Sequence, residues 1–280
     1  MASSAAAQTR PQRPAAKPKS RVKATVTKAV SAQQELTAAL APLVQADGGH
    51  VAVAVDDLAT GGQAAYDGTQ EFVTASIVKV DILVTLLYQA QEAGRALTAE
   101  DQDLATTMIE NSDNDSASDL YDDVGGAGAI DDANRVCGLS ETTAGTDGYW
   151  GLTSTTVDDQ IRLLRVVFTR PSQLSPASQD YIQSLMSQVE ADQQWGVTAA
   201  ADPGTTFMVK NGWLPNPDLW EINSIGEVTH DGQRMLIAVL SDDNASEYPG
   251  ISLVEDVAKT AAAALARLLL GQQVGRGQAA

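Results

Sequence analysis

A serine and a lysine three residues apart, Ser76 and Lys79, have the residue types and the spacing for covalent chemistry. On a helix, residues three apart lie on the same side, one turn from each other. A lysine whose pKa is lowered toward neutrality can take the proton of an adjacent hydroxyl, and the serine then becomes a nucleophile. The pair therefore predicts a nucleophilic serine with a lysine as its base.

The segment that holds the pair runs from Thr74 to Ala90 and is apolar on nearly every face. A helix that is apolar all round is a buried helix. Burial disfavours the charged form of Lys79, so we expect its pKa to fall. A plainer interpretation stays open, in which Ser76 is an N-terminal turn residue and Lys79 extends its ammonium to water.

Two polar triplets follow in the chain. Ser112-Asp113-Asn114 lies between two helical segments, and Lys210-Asn211-Gly212 lies on a predicted strand. Taken alone, the first fits a turn with Asx capping, and the second fits a solvated strand residue followed by a turn. Their order after the Ser-x-x-Lys pair makes the three patterns far more specific together than any one of them.

The segments around these motifs predict an α+β fold. Period-two patterns indicate five strands, the last two joined at Asp231-Gly232: 50–56, 63–66, 207–214, 221–230 and 233–242. Helical spacing indicates a helix from about Val30, a helical block from Ser76 to about residue 200, and a C-terminal helix at 251–270. We predict a mainly antiparallel five-stranded sheet with the terminal helices on one face and a helical lobe inserted.

This layout predicts a single catalytic domain over residues 30–280. Its sheet lobe would comprise residues 30–72 and 204–272, and its helical lobe residues 73–203. Residues 1–29 read as a disordered basic tail, because they are rich in Ala, Pro, Lys and Arg.

In their order, the three motifs resemble the signature elements of the class A β-lactamase and penicillin-binding-protein superfamily. The similarity extends to the segment Met108–Leu120, to Val124–Ile130 and to Cys137-Gly138-Leu139, and the order of elements matches from about Val30 to Leu270. The resemblance implies a β-lactamase-like fold and a serine enzyme that passes through a covalent ester.

The resemblance also implies a role for each catalytic residue. Ser76 would attack a carbonyl carbon, with Lys79 as the base. Ser112 would relay a proton toward the leaving nitrogen. Lys210 would anchor a substrate carboxylate and, as a second cation, help to keep Lys79 deprotonated.

The predicted substrate-binding residues are Asn114, Asn211, Gly212 and Trp213. Asn114 would hold Lys79 and a substrate amide. The oxyanion would lie between the backbone N–H groups of Ser76 and Trp213. Gly212 would let the strand edge meet the substrate without a side chain in the way.

The chain departs from the class A pattern in the loop that follows Gly138. Class A enzymes carry a glutamate there that activates the deacylating water, within an E-x-x-L-N segment that this sequence lacks. The carboxylates of the corresponding stretch, 138–153, are Glu141 and Asp147, and they are the candidates for a deacylation acid. Asn211 stands where threonine or serine is usual, which removes a hydroxyl from the expected carboxylate pocket.

Three functions therefore stay open. The favoured one is a class A-like serine hydrolase that opens a β-lactam or a related amide or ester. A penicillin-binding D-Ala-D-Ala carboxypeptidase or esterase is the second. The third is not an enzyme but a ligand-binding protein that deacylates poorly.

Charge and composition restrict the partners. Seven of the 18 basic residues, and none of the 36 acidic ones, lie within residues 1–34, so the remainder is strongly acidic. Such a body argues against nucleic acid as a partner. We expect a small-molecule substrate, no cofactor, no metal and a monomer; His50 and His230 lack metal-ligand spacing and read as surface residues.

The compartment follows less directly from the sequence. No stretch is apolar and long enough to span a membrane, and no signal peptide is visible. The expected enzyme class favours export to the periplasm or outside the cell, although the cytoplasm stays possible. The single cysteine, Cys137, excludes an internal disulfide and reads as a small core residue.

Overall fold

The computed structural model describes residues 21–47 and 50–277 of the chain. Its helices are α1 (Arg21–Asp47), α2 (Lys79–Glu92), α3 (Ala99–Glu110), α4 (Asn114–Val124), α5 (Gly126–Cys137), α6 (Val157–Phe168), α7 (Pro176–Met186) and α8 (Glu247–Gly277). Its strands are β1 (His50–Asp57), β2 (Gly62–Tyr66), β3 (Phe72–Val73), β4 (Ser154–Thr155), β5 (Met208–Asn216), β6 (Leu219–His230) and β7 (Gln233–Asn244). Short 3₁₀ turns lie at Ala75–Val78, Trp150–Leu152, Ala191–Gln193 and Gly196–Ala200.

Five of the strands form one antiparallel sheet in the order β2-β1-β7-β6-β5. The hairpin between β6 and β7 turns at Asp231 and Gly232, which both have positive φ, at 49° and 72°. A two-residue turn of this kind matches the twist of its strands. The predicted α+β fold and its five-stranded sheet are confirmed.

The sheet is buried on both faces, as its middle strand shows. On β7, Ile237 and Val239 pack into a cluster with α1 and α8, whereas Leu236 and Ala238 pack into a second cluster with the helical lobe. Successive residues of a strand point to opposite faces. The terminal helices therefore cover one face of the sheet and the helical lobe covers the other.

Helix α2 runs through the helical lobe with ten of its 14 residues buried. It begins directly after the 3₁₀ turn Ala75–Val78, so Ser76 and Lys79 follow each other from the turn into the helix. Its apolar circumference is the reason for this position, because a helix without a polar face is stable only inside the protein. The predicted buried helix is confirmed.

Two details of the layout differ from the sequence prediction. A two-stranded ladder pairs Phe72 with Thr155 and Val73 with Ser154; strands this short carry no periodic signal. Ser154 and Thr155 thus interrupt the predicted helical block, and α6 begins at Val157, after Thr156, whose side chain caps it by accepting a hydrogen bond from the Asp159 N–H.

The first helix overlaps the tail that the sequence predicts over residues 1–29. Helix α1 begins at Arg21, so residues 21–29 belong to it. Residues 1–20 lie outside the described residues. Within the part that is described, no helix is long and apolar enough to cross a membrane.

Candidate active site

Ser76 lies in the 3₁₀ turn that leads into α2 and is half-buried. The residue before it, Ala75, has a φ of 47°. A left-handed alanine is uncommon and costs free energy, and such strain is concentrated at functional sites. The turn thereby presents Ser76 at the wall of a cleft rather than inside the helix.

Lys79 is fully buried one turn later. Its Nζ donates to the Ser112 carbonyl oxygen at 2.6 Å, to the Ser112 Oγ at 3.1 Å and to the Asn114 Oδ1 at 2.8 Å. Burial lowers the pKa of Lys79 to about 7, although the charge of Asp113 opposes the shift. A lysine in this state can exist as a free amine near neutral pH, as a base requires.

The turn between α3 and α4 brings Ser112 and Asn114 to this lysine. Ser112 has a φ of 55°, which reverses the chain after α3. Asp113 then caps α4, because its Oδ1 accepts a hydrogen bond of 2.7 Å from the Ser116 N–H. The Asx cap considered from the sequence is therefore present at Asp113, and it orients the two neighbours that contact Lys79.

The Ser112 hydroxyl lies between two lysines. Lys210, on β5, donates from Nζ to the Ser112 Oγ at 2.9 Å and to the Asn211 carbonyl oxygen at 2.9 Å. It is fully buried, and both its burial and the nearby charge of Lys79 hold its pKa well below the ordinary value. A hydroxyl can accept from one amine and donate to the other once either lysine is neutral. The arrangement can therefore carry a proton across the site.

Strand β5 approaches the nucleophile at Gly212. A Cβ at this position would lie 2.7 Å from the Ser76 backbone nitrogen and 2.7 Å from the Thr74 carbonyl oxygen. On the paired strand, the Asn223 Nδ2 donates to the carbonyl oxygens of Val73 at 2.8 Å and Thr74 at 3.1 Å. Only glycine permits this close approach of two backbones.

Asn211 and Trp213 are two residues apart on β5 and point to the same face of the sheet, but only Trp213 is among the residues that line the cleft. The buried Asn211 side chain donates to the carbonyl oxygens of Gln193 at 2.7 Å and Trp195 at 3.1 Å, and it does not line the Ser76 cleft. Its amide nitrogen is thus engaged away from the described lining of the cleft. Trp213 does line the cleft, and its ring meets Trp195 edge to face at 5.8 Å.

The cleft in front of Ser76 has a volume of about 350 Å³. Its described lining contains no carboxylate and consists of Ala75, Ser76, Asn114, Ser118, Gly148, Tyr149, Trp150, Gly151, Leu152, Trp213 and Leu214. The part of the wall supplied by residues 148–152 is thus mainly aromatic and apolar.

The two candidate deacylation acids lie outside this lining. Glu141 is exposed, and its backbone N–H donates to the Asp159 Oδ2 at 2.7 Å. Asp147 is also exposed, and its Oδ2 accepts from the Thr146 Oγ1 at 3.2 Å. The structure therefore brings Ser76, Lys79, Ser112, Asn114, Lys210, Gly212 and Trp213 together, but neither of these acids is among the residues that line the cleft.

Sequence reasoning missed a residue above the base. Trp150 lies with its ring centroid 5.0 Å from the Lys79 Nζ, which is within the range of a cation–π contact. No short motif in the sequence marks this tryptophan.

Asp81 was also missed, although it is the single acidic residue in the apolar part of α2. It is fully buried, and neither of its carboxylate oxygens has a hydrogen-bond partner among the described residues. Burial raises its pKa to about 7, helped by the charge of Asp159. An acidic residue inside an all-round apolar helix was the signal that could have identified it.

The two histidines are apart from the cleft. The His50 Nδ1 lies 3.1 Å from the Asp242 Oδ1 and 3.5 Å from the Asp243 Oδ2, so these three could share a cation. Among the described residues, this is the one such group. His50 and Asp243 are largely exposed, and surface pairs of this kind are common without an ion. The His230 Nδ1 lies 2.7 Å from the Ala200 carbonyl oxygen.

The five-stranded sheet, the buried Ser-x-x-Lys helix and the lysine on the edge strand together define a β-lactamase-like fold. The chain matches the β-lactamase enzyme family over residues 34–101 and 94–265, and it belongs to that family.

Solved structures agree at the level of the fold. A class A β-lactamase from Bacteroides cellulosilyticus is 18% identical, with a TM-score of 0.73 over 84% of this chain and 98% of that chain. The TLA-1 extended-spectrum β-lactamase is 16% identical, with a TM-score of 0.75 over 84% and 99% of the two chains. PBP-A is 21% identical, with a TM-score of 0.70 over 83% and 97%.

A curated relative is more similar but over less of its length. The putative lipoprotein LppW of Mycobacterium tuberculosis is 33% identical over 115 residues, which are 41% of this chain and 37% of that protein. The chain thus spans about a third of the length of the curated relative that it matches.

Proposed function

We propose that the protein is a serine hydrolase or acyltransferase that forms an acyl-enzyme on Ser76 with a β-lactam or a related amide or ester. The observation that carries the proposal is the polar network behind Ser76, in which both lysines have lowered pKa values and share the Ser112 hydroxyl. A buried amine near neutrality beside a strained serine turn is costly to the fold, and activation of the serine explains the cost.

In the proposed acylation, Ser76 is the nucleophile and Lys79 is its base. The Ser76 Oγ attacks the carbonyl carbon, and its proton passes to the free amine of Lys79. Negative charge on the carbonyl oxygen is held by the backbone N–H groups of Ser76 and Trp213. The Ser112 hydroxyl then gives its proton to the leaving nitrogen and takes one from Lys79. The C–N bond breaks, and the acyl group remains on Ser76 as an ester.

Substrate recognition would rest on the strand and on α4. A substrate carboxylate would bind Lys210 in its protonated form, which the negative charge of the carboxylate would itself favour, and Asn114 offers its amide to the acyl side chain. Gly212 lets the substrate lie against β5. For Asn211 we propose no direct contact, since its amide is already bonded to Gln193 and Trp195.

A long-lived acyl-enzyme is the second candidate, and the lining of the cleft favours it. Hydrolysis of the ester needs a base that activates water, and no described residue of the lining is a carboxylate. A penicillin-binding carboxypeptidase or esterase, or a protein that only traps its ligand, would fit such a wall. Among the structural relatives, a point mutant of PBP-A was solved as an acyl-enzyme complex with penicillin G.

Intact-protein mass spectrometry after mixing with benzylpenicillin tests both candidates. A mass increase of one penicillin in the wild type, absent in Ser76→Ala, would support acylation. An adduct that persists after free penicillin is removed favours the penicillin-binding function, and one that clears with substrate consumption favours a β-lactamase. Penicillin affinity in both proteins without any adduct would identify a binder and refute the acyl-enzyme.

We also propose that residues 30–280 act as one catalytic unit, that the protein is a monomer and that it is exported. A lipoprotein relative and a substrate class met outside the cytoplasm support export. Fractionation of the native host with an antibody against the protein, and the mass of the protein by light scattering, would test compartment and monomer.

A further inference from the structure

Trp150 spans the cleft between α2 and α4. Its ring lies over the Lys79 Nζ at 5.0 Å from the centroid. Its Nε1–H donates to the Ser118 Oγ at 3.1 Å. The face of the indole therefore contacts the Lys79 amine, and its N–H edge is hydrogen-bonded to α4.

The backbone around Trp150 is fixed as well. The Trp150 carbonyl oxygen accepts from the Thr153 Oγ1 at 2.7 Å and from the Thr153 N–H at 3.1 Å. Thr153 is fully buried, and its carbonyl oxygen accepts from the Thr74 N–H at 2.9 Å. The turn that carries the tryptophan is thus bonded to the segment that carries Ser76, so the Trp150 backbone cannot move away without breaking these bonds.

The position of the ring decides what surrounds the lysine. The Lys79 ammonium has three partner oxygens, on Ser112 and Asn114, and the indole covers it from the cleft. The charged groups that face it from other elements are Asp113, before α4, and Lys210, on β5. No charged group faces it from the described loop that carries Trp150, so this side of the lysine is closed by a ring instead of by water or a carboxylate.

We propose that Trp150 is a positioning residue that holds Lys79 against Ser112 and Asn114 and keeps water off the cleft side of the base. The role rests on the proposed function, because a base needs positioning only if Ser76 is acylated. Trp150 should also slow hydrolysis of an ester on Ser76, because the ring keeps water out of the space beside Lys79.

The first test is independent of turnover. In a Ser76→Ala background with ¹³C-labelled lysines, NMR of the methylene next to Nζ follows the titration of Lys79, identified by its absence in Lys79→Arg. We expect Trp150→Ala to raise the Lys79 pKa from about 7 by about one unit or more, because the hydration of the ammonium by admitted water outweighs the lost cation–π attraction. Trp150→Phe, which keeps a ring face, should raise it by less than about half a unit.

Two further variants make the result interpretable. Trp220→Ala removes a tryptophan from β6, away from the cleft, and should leave the titration of Lys79 unchanged. Trp150→Leu keeps apolar bulk without a ring and replaces Trp150→Ala if that variant does not fold. A Lys79 pKa that stays within about 0.3 units of the parent value, or that falls, would overturn the proposal.

The second test measures acylation by penicillin in the protein that retains Ser76. In Trp150→Ala, the pH midpoint of acylation should move up with the Lys79 pKa, and the adduct should clear at least about threefold faster, roughly 0.6 kcal/mol in barrier height. An unmoved midpoint and an unchanged adduct lifetime would contradict the role. If no wild-type adduct forms although the NMR shift is seen, the proposed acylation fails while the positioning of Lys79 by Trp150 stands.

Discussion

Behind Ser76, two fully buried lysines share one hydroxyl and are held by α2, by the α3–α4 turn and by β5. In front of it, the loop over residues 139–153 turns both of its carboxylates away from the cleft lining and presents Tyr149, Trp150 and Leu152 instead. Under the proposed function the first side would form the ester, whereas no described residue that lines the second side is a carboxylate that could activate water. We infer that the two halves of the proposed acyl-enzyme cycle depend on separate parts of this fold and could be kept or lost separately.

Removal of the base should give the largest effect on the first side. We expect Lys79→Ala to lower the rate of acylation by penicillin at least about 10³-fold, because the Ser76 hydroxyl then loses its proton acceptor. The matched control is Lys259→Ala, which removes a half-exposed lysine paired with Asp256 on α8. Stopped-flow or timed mass spectrometry measures the rates. Labelling of Lys79→Ala at the wild-type rate would refute the assignment of the base.

A methyl group at the contact between β5 and the nucleophile should have the next largest effect. In Gly212→Ala, the new Cβ would lie 2.7 Å from the Ser76 nitrogen and the Thr74 oxygen, so one backbone must move. A displacement of about 1 Å can cost about 10²-fold in rate, and we expect a loss of that size in acylation. Gly128→Ala on α5, where nothing lies within 4 Å of a new Cβ, is the control. Equal rates for both variants would show that the approach of β5 to Ser76 is not needed.

The pH dependence tests whether the buried lysine limits the first side. The pKa of Lys79 is lowered to about 7, so its free amine predominates above this pH and its fraction falls tenfold per unit below it. Because the free amine is the active form, acylation should be level above about pH 7 and fall about tenfold per unit toward pH 5. A rate independent of pH from 5 to 8, measured with the same penicillin, would exclude Lys79 as the base.

Sequence and structure agree on the first side for a physical reason. The Ser-x-x-Lys spacing, the apolar circumference of α2 and the position of Lys210 on a strand are local properties, and local periodicity decides which way those side chains face. The antiparallel sheet follows equally from period-two segments and the Asp231-Gly232 turn. The roles of Ser76, Lys79, Ser112 and Lys210 in catalysis stay predictions, and their spatial proximity was implied by the resemblance to the β-lactamase superfamily, not by local periodicity.

The second side could not be predicted in the same way. The path of the loop depends on contacts made far along the chain, such as the Tyr121 hydroxyl with the Gly145 carbonyl oxygen at 2.8 Å and Trp150 with Lys79. No periodicity encodes these contacts, so Glu141 and Asp147 could be named only by residue type. Asn211 shows the same limit on a strand, because its motif position did not reveal that Gln193 and Trp195 occupy its amide.

The smallest expected effect is that of the two loop carboxylates on the lifetime of the penicillin adduct. If neither acid reaches the ester, Glu141→Gln and Asp147→Asn should each change the lifetime of the penicillin adduct by less than about twofold, well below the loss of about 10²-fold or more expected for a working base. The double variant Glu141→Gln/Asp147→Asn should also change the lifetime by less than about twofold, since both side chains are exposed. The lifetime is measured by mass spectrometry after free penicillin is removed. A tenfold longer lifetime in either variant would mean that the loop moves to bring that carboxylate to Ser76, and the two sides would then act together in hydrolysis.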